Sequence, residues 1–453
     1  MLLQQKLKML REALRIGSRR SYSYKSVRRP NLNVAAVSKA NSVKPKQEQS
    51  NTLEDAAGHG ISRGNLTKQL TAKMLATGPI TVAEYMREVL TNPQSGYYMH
   101  RDVFGREGDF ITSPEISQIF GELVGIWLLA EWQKLGSPSP FQLVELGPGR
   151  GTLARDVLKV LTKFKAGADF TMHMVEISPY LSQAQAQRFC YKHETVPEEA
   201  QLPHYQVGTT ATGVQAFWHR HLEDVPPGFS LVLAHEFFDA LPVHKLQLVN
   251  GQWLEVLIDV PRTQETETKN ADFSYVLPKS QTPVSRLFKP VPQETRSCLE
   301  YSLETERHVG LLADRLERQG GIALIMDYGH LGDKTDTFRA FKQHALHEPL
   351  LAPGTADLTA DVDFRHIKHV VETHNQVHCC GPVQQGDFLS RMQGELRLEQ
   401  LLANALPENQ DIIRSGYKML TDANQMGSRY KFLAMFPGVM AEHLKKYPVA
   451  GFS

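Results

Sequence analysis

The segment Pro140-Phe-Gln-Leu-Val-Glu-Leu146 runs directly into Gly147-Pro-Gly-Arg-Gly151, and Thr152 to Phe164 then carries a helical pattern. A short apolar run, a cluster of glycines and a helix form the opening unit of a doubly wound sheet, in which backbone N–H groups and a positive helix end face a ligand. The alternation that follows agrees with it. A strand is expected at Phe170 to Val175, a helix from Ser178 to Arg188, and strands at Gln215 to Trp218 and Phe229 to Ala234. That rhythm predicts an α/β fold with a parallel sheet and crossover helices.

The flanking segments add detail. A helix is expected over Val82 to Leu90. After the loop Gly105 to Glu115, Ser113 is a good N-cap and Pro114 a good first helical residue, since a missing N–H costs nothing there. Ile116, Ile119, Phe120, Leu123, Val124, Trp127 and Leu128 continue the apolar stripe of one long helix. Val243 to Val260, with Asn250-Gly251 at its centre, reads as a β-hairpin. A helix at Glu300 to Arg318 leads to a strand at Ile322 to Met326. Residues 331–375 form an insertion with a helix at Phe364 to His374, and two last elements follow at Leu389 to Ala405 and Tyr430 to Phe436.

Charge is distributed unevenly. Residues 1–47 hold twelve Lys or Arg against the single acid Glu12, while the rest of the chain holds 38 basic and 48 acidic residues. Leu3, Leu7, Leu10 and Leu14 share one helical face in this basic segment, which reads as a mitochondrial transit peptide; a nucleic-acid or membrane-binding arm is the alternative. The acidic remainder argues against nucleic acid as the main partner. No apolar run reaches the roughly 18 residues that cross a bilayer. Cys190, Cys298, Cys379 and Cys380, two of them adjacent, make neither a disulfide framework nor a paired zinc site, and point to a reducing compartment.

Two segments carry chemistry. The dinucleotide fingerprint needs Gly or Ala where this chain has Thr152. Glu145, two residues before the first glycine, would repel a pyrophosphate but attract an ammonium, as on S-adenosylmethionine. Glu176, at the end of the next strand, is placed to bind both ribose hydroxyls. The second segment is His235-Glu-Phe-Phe-Asp-Ala-Leu-Pro242, after the strand that ends at Ala234. Glu236 and Asp239 are three apart and, if helical, share a face; such a pair suits a guanidinium. His219, His221, His235 and His244 have no metal-ligand spacing. Asp357 to Asp363 resembles a calcium loop but has Val362 where Gly and Lys368 where Glu is needed, so it is expected to cap the next helix.

Together, Gly108-Asp-Phe-Ile-Thr-Ser-Pro-Glu-Ile-Ser-Gln118, Val144-Glu-Leu-Gly-Pro-Gly-Arg-Gly-Thr-Leu153, His173-Met-Val-Glu-Ile-Ser178, Glu236-Phe-Phe-Asp-Ala-Leu-Pro242, Asp327-Tyr-Gly-His330 and Asp357-Leu-Thr-Ala-Asp-Val-Asp-Phe364 resemble the MidA family over about residues 75–437. The resemblance implies a seven-stranded, Rossmann-like class I methyltransferase fold using S-adenosylmethionine. With the leader, it implies the mitochondrial-matrix member, which symmetrically ω-dimethylates an arginine in the iron–sulfur protein 2 subunit of complex I and assists assembly of that complex. Carried over, Glu145, Gly147, Gly149 and Gly151 would hold the methionine end, Glu176 the ribose, and Glu236 would face the target arginine, with Asp239 beside it from the paired-carboxylate reading above. The segment from Asp109 through Thr112 and Ser113 to Pro114 would close over the cofactor. The expected layout is a transit peptide over 1–47, a polar linker over 48–69, a helical extension with the lid over 70–135, the methyltransferase domain over 136–437 with insertions near 243–295 and 331–375, and a tail over 438–453. A homo-oligomer is compatible with this reading. A non-catalytic assembly chaperone and a nicotinamide-dependent oxidoreductase are the competing classes, and Thr152 and Glu145 weigh against the latter. A lysine or a small molecule as acceptor stays open.

Overall fold

The computed structural model describes residues 65–100, 111–164, 169–261, 271–374 and 376–452. A ten-stranded sheet forms the centre. Nine of its strands are β1 (Phe141–Leu146), β2 (Phe170–Val175), β3 (Cys190–Thr195), β4 (Gln206–Thr210), β5 (Gln215–His219), β6 (Ser230–His235), β7 (Gly321–His330), β8 (Val377–Gln384) and β9 (Tyr430–Pro437). The tenth, Val362–Asp363, lies beside the end of β7. Across the sheet the order is β8-β9-β7-β6-β1-β2-β5-β4-β3. Strands β5, β2, β1, β6 and β7 pair in parallel, and β9 runs antiparallel to both β7 and β8. Without the β3–β4 hairpin and the two-residue strand Val362–Asp363, this is the seven-stranded, Rossmann-like sheet of a class I methyltransferase, as the resemblance implies. The chain works outward from β1 through β2 and β5, then returns to place β6 on the other side of β1. The crevice beyond β1 and β6 is therefore the switch point at which such sheets bind ligands.

Alternate residues of each strand enter opposite cores. Leu143, Met172, Met174, Leu231 and Leu233 pack with the helices Gln118–Lys134 and Thr152–Lys163. Val144, Leu146, Val175, Val232 and Ala234 pack with Leu303–Gln319 and Phe364–Thr373. Cover on both faces explains why these strands carry apolar residues on both sides, and each buried Leu or Val contributes about 2 kcal/mol. Asp363 caps Phe364–Thr373 by accepting from the N–H groups of Arg365 and His366. A separate core joins Asn65–Thr77 and Val82–Thr91 to an antiparallel sheet that contains the expected hairpin, His244–Val249 with Gln252–Asp259. Asn250 and Gly251, at φ 49° and 80°, make its turn.

The long helix expected from Ser113 is instead two. Ser113–Ile116 forms a single short turn, Ser117 is extended, and a second helix covers Gln118–Lys134, capped by the Ser117 side chain accepting from the Ile119 N–H at 3.3 Å. The bend lets the short turn lie against the glycine turn, where Glu115 pairs with Arg150 at 3.3 Å, while the long helix stays on the sheet. Likewise, the element expected at Leu389 to Ala405 divides into Gln385–Arg391 and Gly394–Ala403 at Gln393, whose φ is 65°. The chain's end returns to the core. The Trp127 indole N–H donates to Ala450 O at 2.8 Å, the Ala450 N–H donates to Glu131 Oε1 at 3.0 Å, and the Phe452 ring lies 6.0 Å from Trp127. Among the described residues no helix is long and apolar enough to cross a membrane.

Candidate active site

Gly147, Gly149 and Gly151 take φ of 59°, 54° and 72°, the left-handed region that side chains disfavour. A Cβ on Gly147 would also stand 2.9 Å from the Phe237 ring. Gly151 is the N-cap of Thr152–Lys163 and offers no capping side chain. Glu145 supplies the missing acceptor from the end of β1 by taking the Ala154 N–H, which leaves its buried Oε2 without a partner. Burial pushes the Glu145 carboxyl up to about 8. A carboxyl with one idle, desolvated oxygen is a site for an incoming cation.

One strand over, the Gly147 N–H donates to Val175 O at 3.0 Å, which sets Glu176 beside the turn. Glu176 Oε1 accepts from the Ser178 N–H at 2.8 Å and Oε2 from Gln185 Nε2 at 3.0 Å. The same Gln185 nitrogen donates to Gly149 O at 2.7 Å, and Trp218 Nε1 fixes the amide by donating to Gln185 Oε1 at 2.8 Å. Gln185 thus ties the glycine turn to Glu176. Sequence reading missed it; the one available signal was a Gln on the inward face of the helix Pro179–Phe189. Burial lifts Glu176 to about 7.

The segment after β6 is an irregular turn, so Glu236 and Asp239 share no helical face. Glu236 stands at φ 49°. Asp327, from β7, pins the turn by accepting the N–H groups of Phe238 and Asp239 at 3.0 and 3.3 Å. Glu236 Oε1 accepts from the Tyr430 hydroxyl at 3.1 Å, and the Ser113 N–H also reaches this carboxylate. Asp239 Oδ2 accepts from Thr359 Oγ1 at 2.8 Å and from the Tyr328 hydroxyl, while Oδ1 is buried without a partner. Burial, then the charge of Asp239, holds Glu236 near 8; burial also raises Asp239 and Asp327. His235, buried beside them, is pushed down to about 3 and is neutral.

A solvent-open cleft joins the two ends, with Thr112, Glu145, Gly147, Gly149, His235 and Glu236 among its walls. Ser113 lies buried behind Thr112, Glu176 connects through Gln185, and Asp239 sits deeper than Glu236, off the cleft wall. Asp109 and the basic leader fall outside the described residues.

A family model described as "Putative S-adenosyl-L-methionine-dependent methyltransferase" matches residues 123–383. The chain belongs to this methyltransferase family. It is 75% identical over 445 residues to a Drosophila melanogaster protein named "Protein arginine methyltransferase NDUFAF7 homolog, mitochondrial", covering 98% of this chain and 100% of that one. The Homo sapiens protein arginine methyltransferase NDUFAF7, mitochondrial, is 45% identical over 376 residues, covering 82% of this chain and 83% of its own. Among solved structures, a Burkholderia thailandensis protein crystallised with S-adenosyl-homocysteine shares the fold, with a TM-score of 0.65 at 20% identity over 86% of this chain and 96% of that one. The cofactor of this methyltransferase is S-adenosyl-L-methionine. The residues present fit it: an idle buried oxygen on Glu145 for its ammonium, a glycine turn open to the cleft, and an acid at the end of β2.

Proposed function

We propose that this methyltransferase acts in the mitochondrial matrix as a protein arginine methyltransferase, symmetrically ω-dimethylating an arginine of the iron–sulfur protein 2 subunit of complex I during assembly of that complex. The observation that carries the arginine assignment is the carboxylate group at the ends of β6 and β7. Asp239 and Asp327 are buried and Glu236 is partly buried on the cleft wall, their pKa values are raised, and none forms an ion pair with Lys or Arg among the described residues. Arg339, whose charge acts on Asp239, is bound to Asp361 at 2.6 Å. A guanidinium remains protonated at any ordinary pH and brings a planar fork of donors, so it supplies the charge and the hydrogen bonds this group lacks. The basic, acid-poor leader and the mitochondrial names of the relatives support the compartment.

The roles divide along the cleft. Glu145, the glycine turn and Glu176 bind and orient the cofactor, which supplies an electrophilic methyl group. Glu236 aligns the acceptor nitrogen and takes the proton that this nitrogen sheds as it gains the methyl. The Ser113–Ile116 turn, tied to both ends, excludes water. Mass spectrometry of complex I subunits from cells lacking this protein tests the reading. An arginine of the iron–sulfur protein 2 subunit should lose its methyl groups and regain them with the wild-type chain but not with Glu236→Gln. Dimethylation that persists without the protein would refute the assignment.

A further inference from the structure

Each carboxylate of the acceptor end is held by its own tyrosine. The Tyr430 hydroxyl donates to Glu236 Oε1 at 3.1 Å, and the Tyr328 hydroxyl bonds Asp239 Oδ2 and meets Thr359 Oγ1. The two tyrosines are register partners in the antiparallel pairing of β7 with β9. Directly opposed residues present their side chains on one face of a sheet, and these two rings meet edge to face, with centroids 5.5 Å apart and planes at 73°. Behind Tyr430 the His235 ring lies nearly parallel at 6.5 Å, and Phe120 closes on His235 at 5.1 Å. Burial and the adjacent carboxylates raise both tyrosines well above their ordinary range, so both remain O–H donors.

This arrangement leaves Asp239 Oδ1, buried and without a protein partner, for another donor. We propose that Tyr328 and Tyr430 are positioning residues that fix how Asp239 and Glu236 present themselves to the acceptor, and thereby select a planar guanidinium over a lysine ammonium. The proposal rests on the reading of Glu236 and Asp239 as the acceptor's carboxylates. Two acceptors anchored to one cross-strand pair hold a set spacing, which matches a rigid fork of N–H donors and gives no advantage to a single rotating ammonium.

Tyr430→Phe and Tyr328→Phe keep each ring and remove the hydroxyl. The measurement is methyl transfer from S-adenosylmethionine to the recombinant iron–sulfur protein 2 subunit, with cofactor binding followed by calorimetry on the same samples. Cofactor affinity should be unchanged, which also reports that each variant is folded. Acceptor kcat/KM should fall roughly tenfold in each variant, the loss expected for one charge-assisted hydrogen bond. The pH profile separates positioning from mere packing. Glu236 faces Tyr430 from β9, neutral His235 from β6, the Ser113 N–H, Asp239 on its own turn, Asp327 from β7 and Asp357 from the strand Asp357–Thr359. Of these the Tyr430 hydroxyl and the Ser113 N–H favour the ionised form, so Tyr430→Phe should move the acid limb of the rate profile to higher pH. Glu236→Gln, run alongside, should abolish both the limb and nearly all transfer. If the two Phe variants keep wild-type kcat/KM and an unshifted limb while Glu236→Gln is inactive, the tyrosines do not position anything and the acceptor reading stands without them. If Glu236→Gln is itself nearly as active as wild type, the acceptor reading fails and this proposal fails with it.

Discussion

At the proposed cofactor end the contacts come from one strand–turn–helix unit and from the strands and helix beside it, whereas at the proposed acceptor end five separate elements each contribute: the Ser113–Ile116 turn, the turn after β6, β7, the strand Asp357–Thr359 and β9. The first is largely backbone, shaped by three glycines with positive φ. The second is built from side chains, its carboxylates held by hydroxyls and by the Asp327 clamp on the turn. A backbone site is hard to alter by side-chain substitution unless a glycine gains a Cβ. A side-chain site fails one hydrogen bond at a time. The two ends should therefore respond differently to mutation.

The largest expected effects form a pair. Gly149→Val, at φ 54°, places a branched side chain on the cleft wall and should abolish cofactor binding with modest loss of stability, whereas Glu236→Gln should leave binding intact and slow transfer by about 10²-fold or more. Calorimetry and a single-turnover assay on both variants check this; binding by Gly149→Val that matches wild type breaks the comparison. Next, Gln185→Leu cuts the link between Gly149 and Glu176 and should weaken cofactor binding about tenfold, with acceptor KM unmoved. A change in acceptor KM instead would mean that the two ends are not separable.

A smaller effect lies in the pH dependence of stability. Burial raises Glu145 and Glu236 to about 8 and Glu176 to about 7. The folded state therefore holds these protons more tightly than the unfolded state, and stability present at low pH is lost as pH climbs toward the folded values. His173 and His235, pushed down to about 3, work in the opposite sense only until pH passes the unfolded histidine value near 6.5. Between about pH 6.5 and 8 the ligand-free protein should lose on the order of 1 kcal/mol per pH unit for each acid still protonated. Thermal melts in that window should show a falling Tm, with a shallower slope for Glu145→Gln; a rising Tm would mean that these carboxyls are solvated. The smallest effect belongs to Ser117→Ala, which removes a cap away from both ends and should cost about 1 kcal/mol of stability with catalysis unchanged. A catalytic defect there would show that the bend at Ser117 itself sets the position of Thr112 and Glu115.

The same contrast explains what could be read from the chain alone. The glycine turn, Glu145 and the alternation of strands and helices were legible because each is set by neighbours in sequence. Glu236 and Asp239 were legible as residues but not as a geometry, since the turn that joins them is held by Asp327 from a distant strand. Tyr328 stands in the motif Asp327-Tyr-Gly-His330 and Tyr430 opens an expected element, but nothing in the sequence joins them, because only the register between β7 and β9 makes them a pair. Strand β3, Cys190-Tyr-Lys-His-Glu-Thr195, was missed because it is a largely exposed edge with no apolar alternation. Ser113, expected as an N-cap, is instead the first residue of the short turn, whose N-cap is Thr112 without a side-chain bond; the serine that caps the long helix is Ser117, and the ties of Glu115 to Arg150 and of the Ser113 N–H to Glu236 accompany the break there.

The return of the chain's end to Trp127 has a practical consequence. Truncation before Pro448 strips the indole N–H of its acceptor, removes an N–H from Glu131 and bares an aromatic surface on the helix that begins at Gln118. That helix is the floor beneath the Ser113–Ile116 turn, so the final few residues act as a buckle for machinery they never touch. A fusion partner spliced onto them risks loosening the enzyme in a way that would pass for a defect in its chemistry.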